Sequence, residues 1–463
     1  MRIEKDTMGE MAVPDEALWG ASTQRAVLNF PISGRSLPPA FIRGLGWVKL
    51  AAAQANAELG RLAPAKGRLI MQAAREIADG KHTAQFPVDV FQTGSGTSTN
   101  MNANEVIARR AAQLAPESAV HPNDDVNLGQ SSNDIIPTAL HFSVAVALDR
   151  ELVPALRQLA GRLEAKAADF AAIVKIGRTH LMDATPLTLG QEFSGYAAQV
   201  HKAVERAQRA IAVLGELAVG GTAVGTGLNT HPEFAARVCR ILSAESGLEF
   251  REARNHFEAQ AARDDCVEVA GQLAAVAASL GKIAGDIRLL ASGPRAGLGE
   301  ISLPATQPGS SIMPGKVNPV MCEMLVQVGH YVQGLGQTVT ACGRDGQFEL
   351  NVTLPLMAHC LHEAITCLAN GARVFAEKCV AGITAEAERC RELMERSLML
   401  VTALNPHIGY DAAASVAKEA FATGRSLREV VLARGLMDAA TLDRALEPLA
   451  MTRPGDSALA GGG

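Results

Sequence analysis

Between Gly309 and Glu323 the chain reads Gly-Ser-Ser-Ile-Met-Pro-Gly-Lys-Val-Asn-Pro-Val-Met-Cys-Glu. Glycines and prolines at 309, 314, 315 and 319 exclude a continuous helix or strand through Ser310–Asn318, so the stretch reads as a loop. It carries the hydroxyls of Ser310 and Ser311, the ammonium of Lys316 and the amide of Asn318, with no acid before Glu323. Pro319 suits the first turn of a following helix, where its missing N–H would be unpaired in any case. Ser, Lys and Asn on a loop that ends at a helix N-terminus can hold an anion such as a carboxylate.

Three more polar clusters interrupt otherwise apolar sequence. They are Gly94-Ser95-Gly96-Thr97 with the asparagines at 100, 102 and 104, then Gln130-Ser131-Ser132-Asn133-Asp134, then Gly177-Arg178-Thr179-His180. Each alone is explained by helix capping, because Ser, Thr and Asn side chains satisfy the free N–H groups of a first turn. Their recurrence argues for more. Hydroxyls, amides, one His and one Lys, with few acids nearby, would together form a pocket for a small polyanion without a metal. No His-x-x-x-His pair or Asp/His ligand set occurs among the 11 histidines. Gly94-Ser-Gly lacks the third glycine of a dinucleotide fingerprint, and Gly220-Gly-Thr-Ala-Val-Gly-Thr-Gly lacks the Lys-Ser/Thr of a phosphate loop. The latter reads as a tight turn between helices.

The elements that must position these groups are helical. From Cys266 the apolar residues run Val269, Leu273, Val276, Leu280, Ile283, Ile287 and Leu290, in steps of three and four throughout. A helix of about 25 residues follows, roughly 37 Å long. Leu152, Leu156, Leu159 and Leu163 repeat the seam, with Pro154 near a helix start or kink. Ala-rich helical stretches cover roughly 190–217, 320–339 and 354–380. The middle of the chain is therefore expected to be a bundle whose small and apolar faces pack against other subunits. The start differs, with shorter helices at 41–59, 66–79 and 104–114 and a polar loop from Gln92 to Asn100. Past Arg391 the periodicity shortens again, and Pro448, Pro454 and the terminal glycines mark a small last domain with a frayed tail.

With 463 residues, two or three domains are expected. Hydrophobic residues reach 48% and aromatics only 4%, which favours close-packed helices over a β-sandwich. The net charge of −5, without a basic run, argues against nucleic acid as a partner. No apolar leader and no run of about 18 apolar residues occurs, so no membrane association and a cytoplasmic location are expected. The 8 cysteines form no Cys-x-x-Cys pair and read as buried, reduced thiols.

At these motifs the sequence closely resembles class II (iron-independent) fumarate hydratase, of the fumarase/aspartase superfamily. The resemblance runs from Gly20-Ala-Ser-Thr-Gln-Arg to Ala450-Met-Thr, and Gly309-Ser-Ser-Ile-Met-Pro-Gly-Lys-Val-Asn-Pro is the superfamily signature. Gln130-Ser-Ser-Asn-Asp, Thr185-Pro-Leu-Thr-Leu-Gly-Gln-Glu-Phe-Ser-Gly and Gly220-Gly-Thr-Ala-Val-Gly-Thr-Gly-Leu-Asn-Thr agree with it. Aspartases usually carry Gln in place of His180 and Ala in place of Gly315. The resemblance implies a mostly α, three-domain subunit: an α-rich N-terminal domain (1–132), a central long-helix bundle (133–391) and a small helical C-terminal domain (392–463). It further implies a homotetramer with each active site shared among three subunits, no cofactor and no metal, and a fumarate or malate substrate. Carried over by position, Ser310 and His180 would be the proton-transferring pair, with Glu323 orienting His180. Ser95, Thr97, Ser131, Ser132, Asn133, Thr179, Ser311, Lys316 and Asn318 would contact substrate. His121, Pro122, Asn123 and Asp124 match the family's second, non-catalytic anion site, although Glu117-Ser-Ala-Val stands where some fumarases place basic residues.

The implied reaction is hydration of fumarate to L-malate, a tricarboxylic acid cycle step, through an aci-carboxylate carbanion. Neutral donors and Lys316 suit it, because charge grows on oxygen in the transition state. Serine is a weak base, so Ser310 needs loop N–H groups and Lys316 to stabilise its alkoxide. The nearest rival is aspartate ammonia-lyase or another fumarate-releasing lyase of the superfamily. A rival of another class is a non-catalytic, crystallin-like structural protein, which predicts damaged polar clusters; here they are all present.

Overall fold

The computed structural model describes residues 1–454. The expected frayed tail therefore lies largely outside the described residues. The fold is mostly α, and its strands form only two-stranded sheets among the described residues. The long seam becomes the Asp264–Leu290 helix of 27 residues, opened by Asp264 and Asp265, whose charge suits the positive end of the dipole. Every apolar position of that seam, from Cys266 to Leu290, is buried. Pro154 comes just after a π-helical turn, Leu148–Leu152, that carries the Ser132–Ala147 helix into the Val153–Asp169 helix, so the proline marks an irregularity within a continuous helical run. Leu152, Leu156, Leu159 and Leu163 are all fully buried. Further helices run Pro39–Glu58, Leu189–Val213, Val320–Gly343 and Leu354–Lys378. All 8 cysteines are free thiols, and only Cys367 is partly exposed.

The chain forms two compact units that do not follow chain order. One comprises Met1–Leu156, Ala203–Ser279 and Gln327–Gly371; the other comprises Arg157–Lys202, Leu280–Val326 and the chain from Ala372. Within the second, Val401, Leu404, Val416, Leu427, Val430 and Leu442 belong to a hydrophobic core of their own. The expected boundary at 391/392 falls inside the Ala387–Arg396 helix.

One expectation is corrected. The run Thr97–Asn100 is not loop but the first turn of the Thr97–Leu114 helix, which starts directly after a left-handed Gly96. Its polar residues look loop-like in sequence, yet Asn100, Asn102 and Asn104 are buried and hydrogen-bonded inside the unit. Residues 174–188, which include the Gly177–His180 polar cluster, form an antiparallel hairpin of strands Val174–Thr179 and Met182–Thr188.

Candidate active site

In the first unit, two helices present hydroxyls to each other. Ser95 Oγ and Thr97 Oγ1 lie 2.8 Å apart, and Thr97 Oγ1 and Ser132 Oγ lie 2.7 Å apart. Thr97 and Ser132 each open a helix, Thr97–Leu114 and Ser132–Ala147, so the three hydroxyls sit where unpaired N–H groups and the positive ends of two helix dipoles favour an anion. Ser131 caps the second helix by accepting from Asn133 N–H at 3.2 Å, while Asp134 accepts from Ser131 N–H at 2.9 Å. The Ser-x-x-Asp spacing thus forms a capping box. Asn133 Nδ2 donates to the Ala223 carbonyl at 2.8 Å. The other Asp134 oxygen accepts from Gly220 N–H and Thr222 N–H at 2.9 and 3.1 Å. The Gly220 turn, read from sequence as a mere connection, is therefore bound to the serine cluster through one carboxylate.

Beneath this cluster lies a buried lysine that the sequence reading passed over. Lys49 Nζ donates to Asn127 Oδ1 at 3.1 Å and Gln130 Oε1 at 2.9 Å, and Asn127 Oδ1 also accepts from Asn100 and Asn104. Burial pushes the Lys49 ammonium down to about 7, with the Asp134 charge opposing. Burial pushes the Asp134 carboxyl up to about 6, against the three N–H groups that favour its charge. Between about 7 and the ordinary 10.5 the unfolded chain holds a proton on Lys49 that the folded chain has lost. Burying this group therefore costs nothing above 10.5, and its destabilising penalty grows as pH falls, reaching full size near 7. Denaturation midpoints in alkaline buffer should rise with pH by up to roughly 1.4 kcal/mol per pH unit from this residue. In Lys49→Met that increment should vanish; an unchanged slope would rule the assignment out.

In the second unit, the hairpin carries Thr179 and His180. Thr179 pairs with Met182, so His180 and Leu181 alone make the turn, at φ 57° and 61°. A two-residue hairpin turn with both φ positive is normally made by Asn-Gly or Asp-Gly. Two bulky residues there are strained, at about 1–2 kcal/mol each. Such strain persists where the surrounding structure imposes it, commonly at functional sites. Leu181→Gly should relieve it. Hydrogen exchange of the hairpin amides should then slow by about two- to five-fold, the left-handed penalty outweighing glycine's extra unfolded-state entropy. Faster exchange would mean the turn is not under strain. His180, Leu181 and Met182 are exposed in the single chain.

The signature loop is held at its base. Gly309 N–H donates to the Lys316 carbonyl at 2.8 Å, and Asn318 Nδ2 donates to the Gly309 carbonyl at 2.7 Å. A Cβ at 309 would lie 2.5 Å from the Lys316 carbonyl oxygen, so glycine is required there. Inside the loop, Ser310 Oγ accepts from Ile312 N–H at 3.2 Å and Met313 N–H at 3.1 Å. Two backbone donors on one hydroxyl oxygen favour its deprotonated form. Ser311 and Lys316 are exposed, and Glu323 occupies the first turn of the Val320–Gly343 helix.

The His121–Asp124 segment opens a short π-turn, Pro122–Val126. His121 Nδ1 accepts from Asp124 N–H at 3.1 Å, its own N–H donates to Asp125, and Asp125 pairs with Lys66 at 2.7 Å. Sequence reasoning therefore named Ser95, Thr97, Ser131, Ser132 and Asn133, which one unit gathers, and Thr179, His180 and the loop, which belong to the other. It missed Lys49, Lys175, Glu192 and Glu300. Their charges alone, scattered singly along the chain, gave no local signal.

Residues 9–334 match the lyase family and residues 400–453 match the fumarase C C-terminus, which defines the class as a helical lyase. Class II fumarate hydratase of Mycobacterium tuberculosis is 55% identical over 457 residues, covering 98% of this chain and 96% of that protein. Its counterpart from Xylella fastidiosa is 50% identical over 462 residues, covering 100% and 98%. The crystal structure of recombinant class II fumarase from Schistosoma mansoni superposes with a TM-score of 0.96 at 40% identity, over 98% of this chain and 100% of that one. The chain belongs to the class II fumarate hydratase family.

Proposed function

We propose that the chain hydrates fumarate to L-malate reversibly, by acid–base chemistry between Ser310 and His180. In the direction of dehydration, Ser310 alkoxide removes the proton beside a malate carboxylate, leaving an aci-carboxylate whose extra charge falls on oxygen. Lys316, Asn318, Ser311 and the Ser95–Thr97–Ser132 hydroxyls hold the carboxylates, so their donors strengthen as that charge grows. His180, oriented by Glu323, handles the departing oxygen through a bound water, and Thr179 contacts substrate beside it. The observation that carries the reading is Ser310 Oγ receiving two backbone N–H bonds within the signature loop. It supplies the stabilisation that a serine base needs.

As the family resemblance implies, the reading includes a homotetramer of three-domain subunits in which each active site draws on three copies. His121, Pro122, Asn123 and Asp124 would form a second anion site, and a cytoplasmic place in the tricarboxylic acid cycle completes the proposal. No helix among the described residues is long and apolar enough to cross a membrane. The test is incubation of purified protein with malate, and separately with aspartate, following fumarate absorbance with and without a chelator. Fumarate from malate in both buffers supports the reading; fumarate from aspartate alone replaces it with an ammonia-lyase.

A further inference from the structure

A buried charge cluster sits directly behind the His180 turn. Glu300 is fully buried, and its two carboxylate oxygens accept from the Arg178 guanidinium at 2.9 and 3.0 Å. Lys175, itself 1% exposed, lies 3.2 Å from the same carboxylate and 3.2 Å from that of Glu192. Residues 175 and 178 would face opposite sides of a regular strand, since side chains alternate. A register break between Ile176 and Arg178 brings both to one carboxylate. Gly177 allows it, because a Cβ there would lie 2.5 Å from the Thr185 carbonyl oxygen of the paired strand.

The carboxylate is also anchored at its own backbone. Glu300 N–H donates to the Leu290 carbonyl at 2.9 Å, and the Glu300 carbonyl accepts from Glu386 N–H at 2.9 Å. Residues 301 and 302 pair with 385 and 384, and Arg389 grips the Leu298 and Gly297 carbonyls. Glu300 is thus a rigid point holding the residue next to Thr179 and two before His180. A planar guanidinium gripped by both oxygens fixes orientation as well as distance. Burying such a cluster is a poor source of net stability, which leaves orientation as its use.

We propose that Glu300 is a positioning residue, which through the Arg178 and Lys175 grip across the Gly177 bulge aims Thr179 and the strained His180–Leu181 turn at the substrate. This rests on His180 having the role assigned above, and the test separates the two. Glu300→Gln should lower kcat for malate by about 10- to 100-fold with KM within about threefold, as a misplaced catalytic group does. In a His180→Asn background the same change should cost less than about twofold, because groups that act as a unit are not additive. Arg178→Lys, which keeps the charge and loses the fork, should show the same dependence on His180 at smaller size, and it carries the test if Glu300→Gln does not fold. An equal loss in both backgrounds would make the cluster merely structural, and a folded Glu300→Gln enzyme with unchanged kcat would also overturn the proposal. If His180→Asn alone is fully active, it is the assignment of His180 that fails.

Discussion

Ser310→Ala lowers malate turnover by about 10²-fold or more, the range expected when general acid–base catalysis is lost. The substitution removes one oxygen from a loop whose base does not depend on it. Asn318 still donates to the Gly309 carbonyl, and Gly309 N–H still reaches Lys316. The N–H groups of Ile312 and Met313 lose an acceptor, but in an exposed loop water replaces it at little cost. Carboxylate binding through Lys316, Asn318 and Ser311 should survive, so KM moves far less than kcat. The measurement is steady-state malate dehydration, with circular dichroism to confirm folding. A folded variant with near-native kcat would remove Ser310 from the chemistry and leave its two backbone bonds as a turn motif.

His180→Asn should cost about 10²-fold or more by the same reasoning. Asparagine is chosen because position 180 has φ 57°, a conformation Asn tolerates better than most residues, so the turn keeps its shape. The amide can hold a water but cannot exchange a proton at working pH, so the loss reads out proton transfer with little contribution from backbone strain. The same substitution is the reference for the Glu300 cycle. If hydration and dehydration both proceed at native rates in this variant, the turn's strain has some other purpose.

What could be read without coordinates was whatever physics is local. Gly309, Pro314, Gly315 and Pro319 forbid regular structure within a few residues of themselves, so the loop was legible. The three-and-four stepping from Cys266 to Leu290 needs only neighbours along one helix, and all of it is buried. Ser131 and Asp134 announce a cap by spacing alone. The Thr97 turn was misread because asparagines at 100, 102 and 104 favour loops unless partners such as Asn127 and Gln85 bury them. The hairpin was missed because His180-Leu181 carries none of the usual turn chemistry, and a bulge breaks the alternation that marks a strand.

The motifs carried the resemblance to the family, while residue types and short-range spacing were enough to indicate the long helices and the chemical inventory of hydroxyls, one imidazole and one ammonium. Tertiary structure alone decided which groups meet: Thr97 with Ser132, Asp134 with the Gly220 turn, Lys49 with Gln130, and Glu300 with both cations of a bulged strand. The reason is that burial sets these pairings. A charge or amide removed from water must find a partner wherever the fold brings one, and distance along the chain does not reveal where that will be.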